Sequence, residues 1–173
     1  MIRNRFRRST LAGTLCAATA LLAAATVAAN GQAVESGDSA DAQSNAAPAG
    51  VENPQRAWQH WTLNCQGCHR PDGTGSDQTA PSLAGTVARF LSVPGGREYL
   101  SRVPGVAASA LSNADLAEVM NWMLWRFDRI HIPADFQPYT AAEIGQLRTR
   151  PLRLDASQMR AALLKKADES GAH

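Results

Sequence analysis

Along residues 111–127, which read LSNADLAEVMNWMLWRF, apolar side chains recur at Leu116, Val119, Met120, Met123, Leu124 and Phe127. They stand three and four positions apart, the repeat of one face of an α-helix. Ser112, with Asp115 three residues on, resembles a capping box and marks the start. The spacing predicts an amphipathic helix of about four turns. A second helix is expected from Pro54, because Asn53 can cap free amides and a proline loses nothing at the first helical position. It carries Ala57, Trp58 and Trp61 towards Cys65. Between these two helices, Gly, Pro, Asp, Ser and Thr dominate from Arg70 to Gly85, a loop composition. Short helices are expected around Val87 to Leu91 and, after the Gly95-Gly96 pair, from Glu98 to Arg102. Beyond Phe127 the segment IPADFQPY reads as extended. Thr140 with Glu143 opens a short helix through Leu147, and Asp155 is expected to cap a last one carrying Met159, Leu163 and Leu164. No run alternates with period two, so the predicted fold class is all-α.

The N-terminal pattern is different. Arg3, Arg5, Arg7 and Arg8 precede an uncharged, alanine-rich apolar run from Leu11 to Ala29, the layout of a secretory signal peptide over residues 1–29, with cleavage after Ala29 or as late as Ala33. The run is close to membrane-spanning length, so an uncleaved anchor is the alternative. Residues 30–53 hold only Val34 and Val51 as sizeable apolar side chains and are expected to be a disordered tether. The compact part then covers a domain over 54–129 and a C-terminal helical extension over 130–173. The whole chain has 17 Lys+Arg against 15 Asp+Glu. Without the four leader arginines, 13 stand against 15 and the net charge falls from +2 to −2. Such a balance gives no footprint for nucleic acid, and membrane contact is expected only if the leader stays attached.

Of three cysteines, Cys16 falls in the leader, and Cys65 and Cys68 remain in the stretch CQGCHRPDGTG. A zinc site needs about four ligands, which two thiols supply only with help from histidines. A thioredoxin-like pair expects a βαβ setting that a helical chain lacks. A structural disulfide leaves His69 without a purpose. Covalent haem attachment uses all three residues: thiols one helical turn apart can each add to a vinyl group of one porphyrin, and the next residue is placed to bind the iron.

With CQGCH followed by DGTG and APSLAG, the sequence resembles a class I, monohaem c-type cytochrome from about Pro54 to Phe127. The resemblance implies a cytochrome c-like helical domain around one covalent haem c. It implies thioethers at Cys65 and Cys68, His69 as axial iron ligand and the Pro81 carbonyl holding the other histidine nitrogen. It also implies crossing terminal helices, with Trp58 or Trp61 meeting Trp122. The departure is in the loop before the long helix, where the family usually places a methionine as second axial ligand. Here that loop reads SRVPGVAASALS, with Val103 or Val106 near the expected place. The sixth position is then left to Met120 or Met123, which also fit as core fillers, to Met159, to His60, to His131, or to no protein ligand at all. Ligation separates two functions. The first is a periplasmic electron carrier, not an enzyme, working between a dehydrogenase and an acceptor or oxidase. The second is a haem site that binds a small ligand or reduces peroxide.

Overall fold

A computed structural model describes residues 47–76 and 80–171, all within one compact unit. The expected signal peptide and most of the expected tether lie outside the described residues. Helix α1 (Pro54–Asn64) starts where the sequence places it, with the Asn53 side chain accepting from Arg56 N at 2.9 Å. It packs against α5 (Asn113–Asp128), which Ser112 caps by accepting from Asp115 N at 3.1 Å. At one end of the contact, Trp61 is buried with its ring 6.0 Å from Trp122 and 4.7 Å from Phe127; Trp58 is half exposed and takes no part in this cluster. At the other end, the buried Glu118 carboxylate accepts from Asn53 N at 2.7 Å and Arg56 Nε at 2.8 Å.

Between these helices lie α2 (Gln66–His69), a 3₁₀ segment (Val87–Ser92), α3 (Gly96–Arg102) and α4 (Pro104–Ala107). Residues 87–92, where a short helix is expected, are wound as a 3₁₀ helix. Pro94 forces Val93 into an extended conformation, so the segment is too short to gain from an α ladder. Ala88 N instead donates to the buried Asp128 carboxylate at the end of α5, at 2.7 Å. Gly96 allows the next turn: a Cβ there would lie 1.9 Å from the Phe90 carbonyl oxygen.

The last part, with a 3₁₀ turn (Arg129–His131), α6 (Ala141–Leu147) and α7 (Ala156–Glu169), shares the core of the rest. Tyr139, Ile144, Leu152, Leu163 and Ala167 are all buried in it. Helix α7 lies on the 3₁₀ segment and α3, and the Arg160 guanidinium sits over the Phe90 ring, 5.6 Å from its centroid. Two expectations need correction. Asp155 makes no capping hydrogen bond, because its backbone is already near helical. The packed body also begins before residue 54. Val51 is buried, and the Gly50 carbonyl accepts from buried Asn121 Nδ2 at 3.1 Å, a close approach that Gly50 permits at φ +73°. Among the described residues there is no strand beyond a single bridge between Ser76 and Ala80, and the fold is all-α.

Candidate functional site

Helix α1 ends at Cys65, whose N–H still donates to Trp61 O at 2.9 Å. The chain re-enters one short turn, α2, in which Cys68 N and His69 N both donate to Cys65 O, at 3.2 and 3.1 Å. That turn brings two free thiols and an imidazole to the end of one helix, Cys65 half-buried and Cys68 exposed. Arg70 then takes a left-handed conformation, φ +62°, unusual for a non-glycine residue, and throws the backbone away from the helix axis. The loop that follows folds back across His69. Asp72 Oδ1 accepts from Thr74 N and Oγ1, at 3.1 and 2.8 Å, Gly75 N donates to His69 O at 2.9 Å, and the Gly73 carbonyl takes Leu83 N at 2.8 Å. At Gly75 (φ +68°) a Cβ would lie 2.2 Å from Ala80 O and 2.8 Å from Pro81 O, so only glycine lets the two strands of the loop touch. The outcome is a Pro81 carbonyl 3.2 Å from His69 Nδ1.

The electrostatics follow from this geometry. Burial lowers the His69 pKa against the opposing pull of the Pro81 hydrogen bond, which favours the neutral imidazole. With Nδ1–H donating to Pro81, the lone pair is on Nε2, free for a metal. The Cys65 thiol is pushed up to about 11 by burial, with the neighbouring Cys68 adding to the shift. It is therefore a poor nucleophile in the folded chain.

The other residues weighed as iron ligands are engaged elsewhere. Met120 and Met123 are buried in the core on α5, and Met159 packs against that core from α7. His60 Nε2 lies 3.5 Å from Asp115 Oδ1. His131 Nδ1 pairs with Asp128 Oδ1 at the end of α5, and that end lies against the loop that carries Pro81, since Gly85 N donates to Phe127 O at 2.9 Å. Sequence reasoning missed Arg70, whose strain has no composition signal, and the orphan Trp61 Nε1. That atom is buried without a hydrogen-bond partner, the only side-chain polar atom in that state among the described residues, and its ring lies 6.0 Å from the His69 ring.

Fold and site together define a small helical domain organised around a Cys-x-x-Cys-His turn whose histidine is backed by a proline carbonyl. Two proteins named cytochrome c-552, both from Thermus thermophilus, are each 33% identical to the chain over 106 residues. The match covers 51% of this chain and 81% and 72% of theirs. No family model and no solved structure matches. The chain belongs to the c-type cytochromes: its cofactor is haem c and its role is electron transfer. The residues present fit that group. Two thiols and a neutral, pre-oriented imidazole form the donor set. Cys65 itself and Leu83, two residues after Pro81, are only partly buried, apolar surface beside the turn that a large flat group would cover.

Proposed function

We propose that Cys65 and Cys68 hold haem c through two thioethers, that His69 Nε2 binds its iron, and that the protein passes single electrons in the periplasm. Its partners there would be a dehydrogenase as donor and an oxidase or other terminal acceptor. When bound, haem supplies a one-electron Fe(III)/Fe(II) couple. The observation carrying this reading is the Pro81 carbonyl at 3.2 Å from His69 Nδ1, beside two unpaired thiols one helical turn apart. Each residue has a defined task. Cys65 and Cys68 anchor the ring to the end of α1, while Pro81 fixes the imidazole tautomer and raises its basicity. In this reading the loop over 103–112, which contains no methionine and packs Val103 and Val106 on the core, would cover the haem face opposite His69.

Mass spectrometry of the exported protein tests the attachment. One covalently added macrocycle is expected, and it should vanish in a Cys65→Ala/Cys68→Ala chain. A full-mass spectrum with no added group would end the reading. Domain layout belongs to the same proposal: an exported leader over 1–29, a haem domain starting near Val51, and an extension from 130 that packs on it.

A second reading is favoured by one observation, the valines where a thioether would be needed. An iron without a methionine has a lower potential and can admit a small ligand or peroxide. Carbon monoxide added to the reduced protein separates the two: a shifted Soret band means an open sixth position, and an unchanged one means a closed carrier.

A further inference from the structure

The loop over 103–112 has two faces with opposite chemistry. Val103, Val106 and Leu111 turn inward and pack on the core. The carbonyls of Ala107, Ser109 and Leu111 turn the other way and converge on one guanidinium. Arg148 Nε and Nη2 each donate to Ala107 O at 3.3 Å, Nη2 also donates to Ser109 O, and Nη1 donates to Leu111 O at 3.0 Å and to Asn113 Oδ1 at 3.2 Å. Arg148 is the residue directly after α6, and α6 is itself fixed: Ile144 is fully buried, and Glu143 binds Arg97 through both oxygens at 2.5 and 2.7 Å. A few residues on, the same segment grips the beginning of the loop. Leu152 N donates to Arg102 O at 2.8 Å, and Arg102 Nε donates to Arg150 O at 2.6 Å.

We propose that Arg148 is a positioning residue for the open face of the haem iron, holding the 103–112 loop so that Val103 and Val106 stay over that face and limit entry of exogenous ligands. The proposal rests on the reading that places this loop opposite His69. Its physical basis is that the loop has no methionine to bind iron and pin it, and that its internal backbone bonds are confined to the one short turn around α4, between Val103 and Ser109. A planar fork with five donors can satisfy several carbonyls at once and lock their relative positions, which a lysine cannot do.

The test uses full-length holoprotein and rapid mixing, with carbon monoxide for the ferrous form and imidazole for the ferric form. Arg148→Ala is expected to speed association about tenfold or more, the scale set by losing hydrogen bonds to a charged group. Val106→Ala, which thins the cover directly, is expected to speed it as well. Acceleration in Val106→Ala with an unchanged rate in Arg148→Ala would overturn the clamp while leaving the placement of the loop intact. Unchanged rates in both would overturn the placement and the clamp with it. Arg148→Lys keeps the charge without the fork and is expected to fall between wild type and Arg148→Ala, so a wild-type rate in Lys also overturns the proposal. Should Arg148→Ala fail to retain haem, the Lys and Val106 variants still decide.

Discussion

At Gly75 a hydrogen atom in place of a side chain decides where the Pro81 carbonyl sits. Alanine there meets a disfavoured left-handed φ, which costs about 1–3 kcal/mol by itself, and in addition a Cβ 2.2 Å from Ala80 O. The loop yields by moving Pro81 away from His69. Gly75→Ala should lower the thermal midpoint and, because the imidazole donates less electron density, raise the reduction potential. A potential equal to wild type in a destabilised variant would mean that Pro81 does not tune the iron. Tyr139 is the second informative residue. Burial pushes its phenol well above the ordinary range, more than the Arg97 guanidinium beside it pulls back. For an acid whose folded pKa is raised, the stabilising contribution is full below the unfolded value, about 10, and is lost as pH rises beyond it. Denaturant titrations should therefore show stability falling above pH about 10, and Tyr139→Phe, lacking that proton, should flatten the fall. At this scale the sequence is legible where chemistry is contiguous, as in Cys65, Cys68 and His69. It is silent where the partner is a backbone carbonyl: nothing in Ala107, Ser109 or Leu111 as residue types announces the Arg148 fork 37–41 positions away.

Among the elements, α5 shows what periodicity captures and what it omits. The stripe from Leu116 to Phe127 is buried as its spacing requires, yet the polar Glu118, Asn121 and Asp128, outside that stripe, are buried too. The reason is that α1, α6 and the 3₁₀ segment cover the helix from several directions, so its polar side chains serve as fasteners. Asn121 is the clearest: Oδ1 accepts from Tyr139 N at 2.8 Å, while Nδ2 donates to Tyr139 O and Gly50 O, each at 3.1 Å. Asn121→Ala strands the two buried backbone groups of Tyr139, along with the part-buried Gly50 carbonyl, and should lower unfolding stability by about 2–5 kcal/mol. Ser112→Ala, which removes only a cap at the exposed start of the same helix, should lower it by about 1 kcal/mol. Urea titrations of the two variants measure this ratio, and similar losses would show that Asn121 is no fastener. Start signals were legible at Asn53, Ser112 and Thr140, where a side chain bonds its own helix. Asp155 misled because a good capping residue type does not dictate the backbone angles a cap needs. The 3₁₀ winding over 87–92 was hidden because the Ala88 amide is taken by Asp128, forty residues on.

For the whole molecule, one core runs from Val51 to Ala167 and is built almost entirely from helix faces. Around that core, residues such as Leu83, Val103, Val106 and Leu111 stay partly exposed. A covalent haem removes hundreds of square ångströms of apolar surface from water, its own and theirs. At about 25 cal/mol per Å² this is on the order of 10 kcal/mol, the same size as the whole stability of an ordinary domain, about 5–15 kcal/mol. The extension works against total collapse of the apo chain, because Ile144, Leu152 and Leu163 bury surface that needs no haem. It also bonds through Arg148 to the 103–112 loop, which the reading above sets against the haem. The Cys65→Ala/Cys68→Ala chain should therefore lose fixed tertiary packing: near-ultraviolet circular dichroism from the Trp61, Trp122 and Phe127 cluster should collapse, and far-ultraviolet helical signal should fall well below that of the holoprotein. This fits the elevated Cys65 thiol, a sluggish nucleophile in the finished fold, since attachment would then precede folding. Native-like aromatic dichroism in the thiol-free chain would show that the helical core stands without its cofactor.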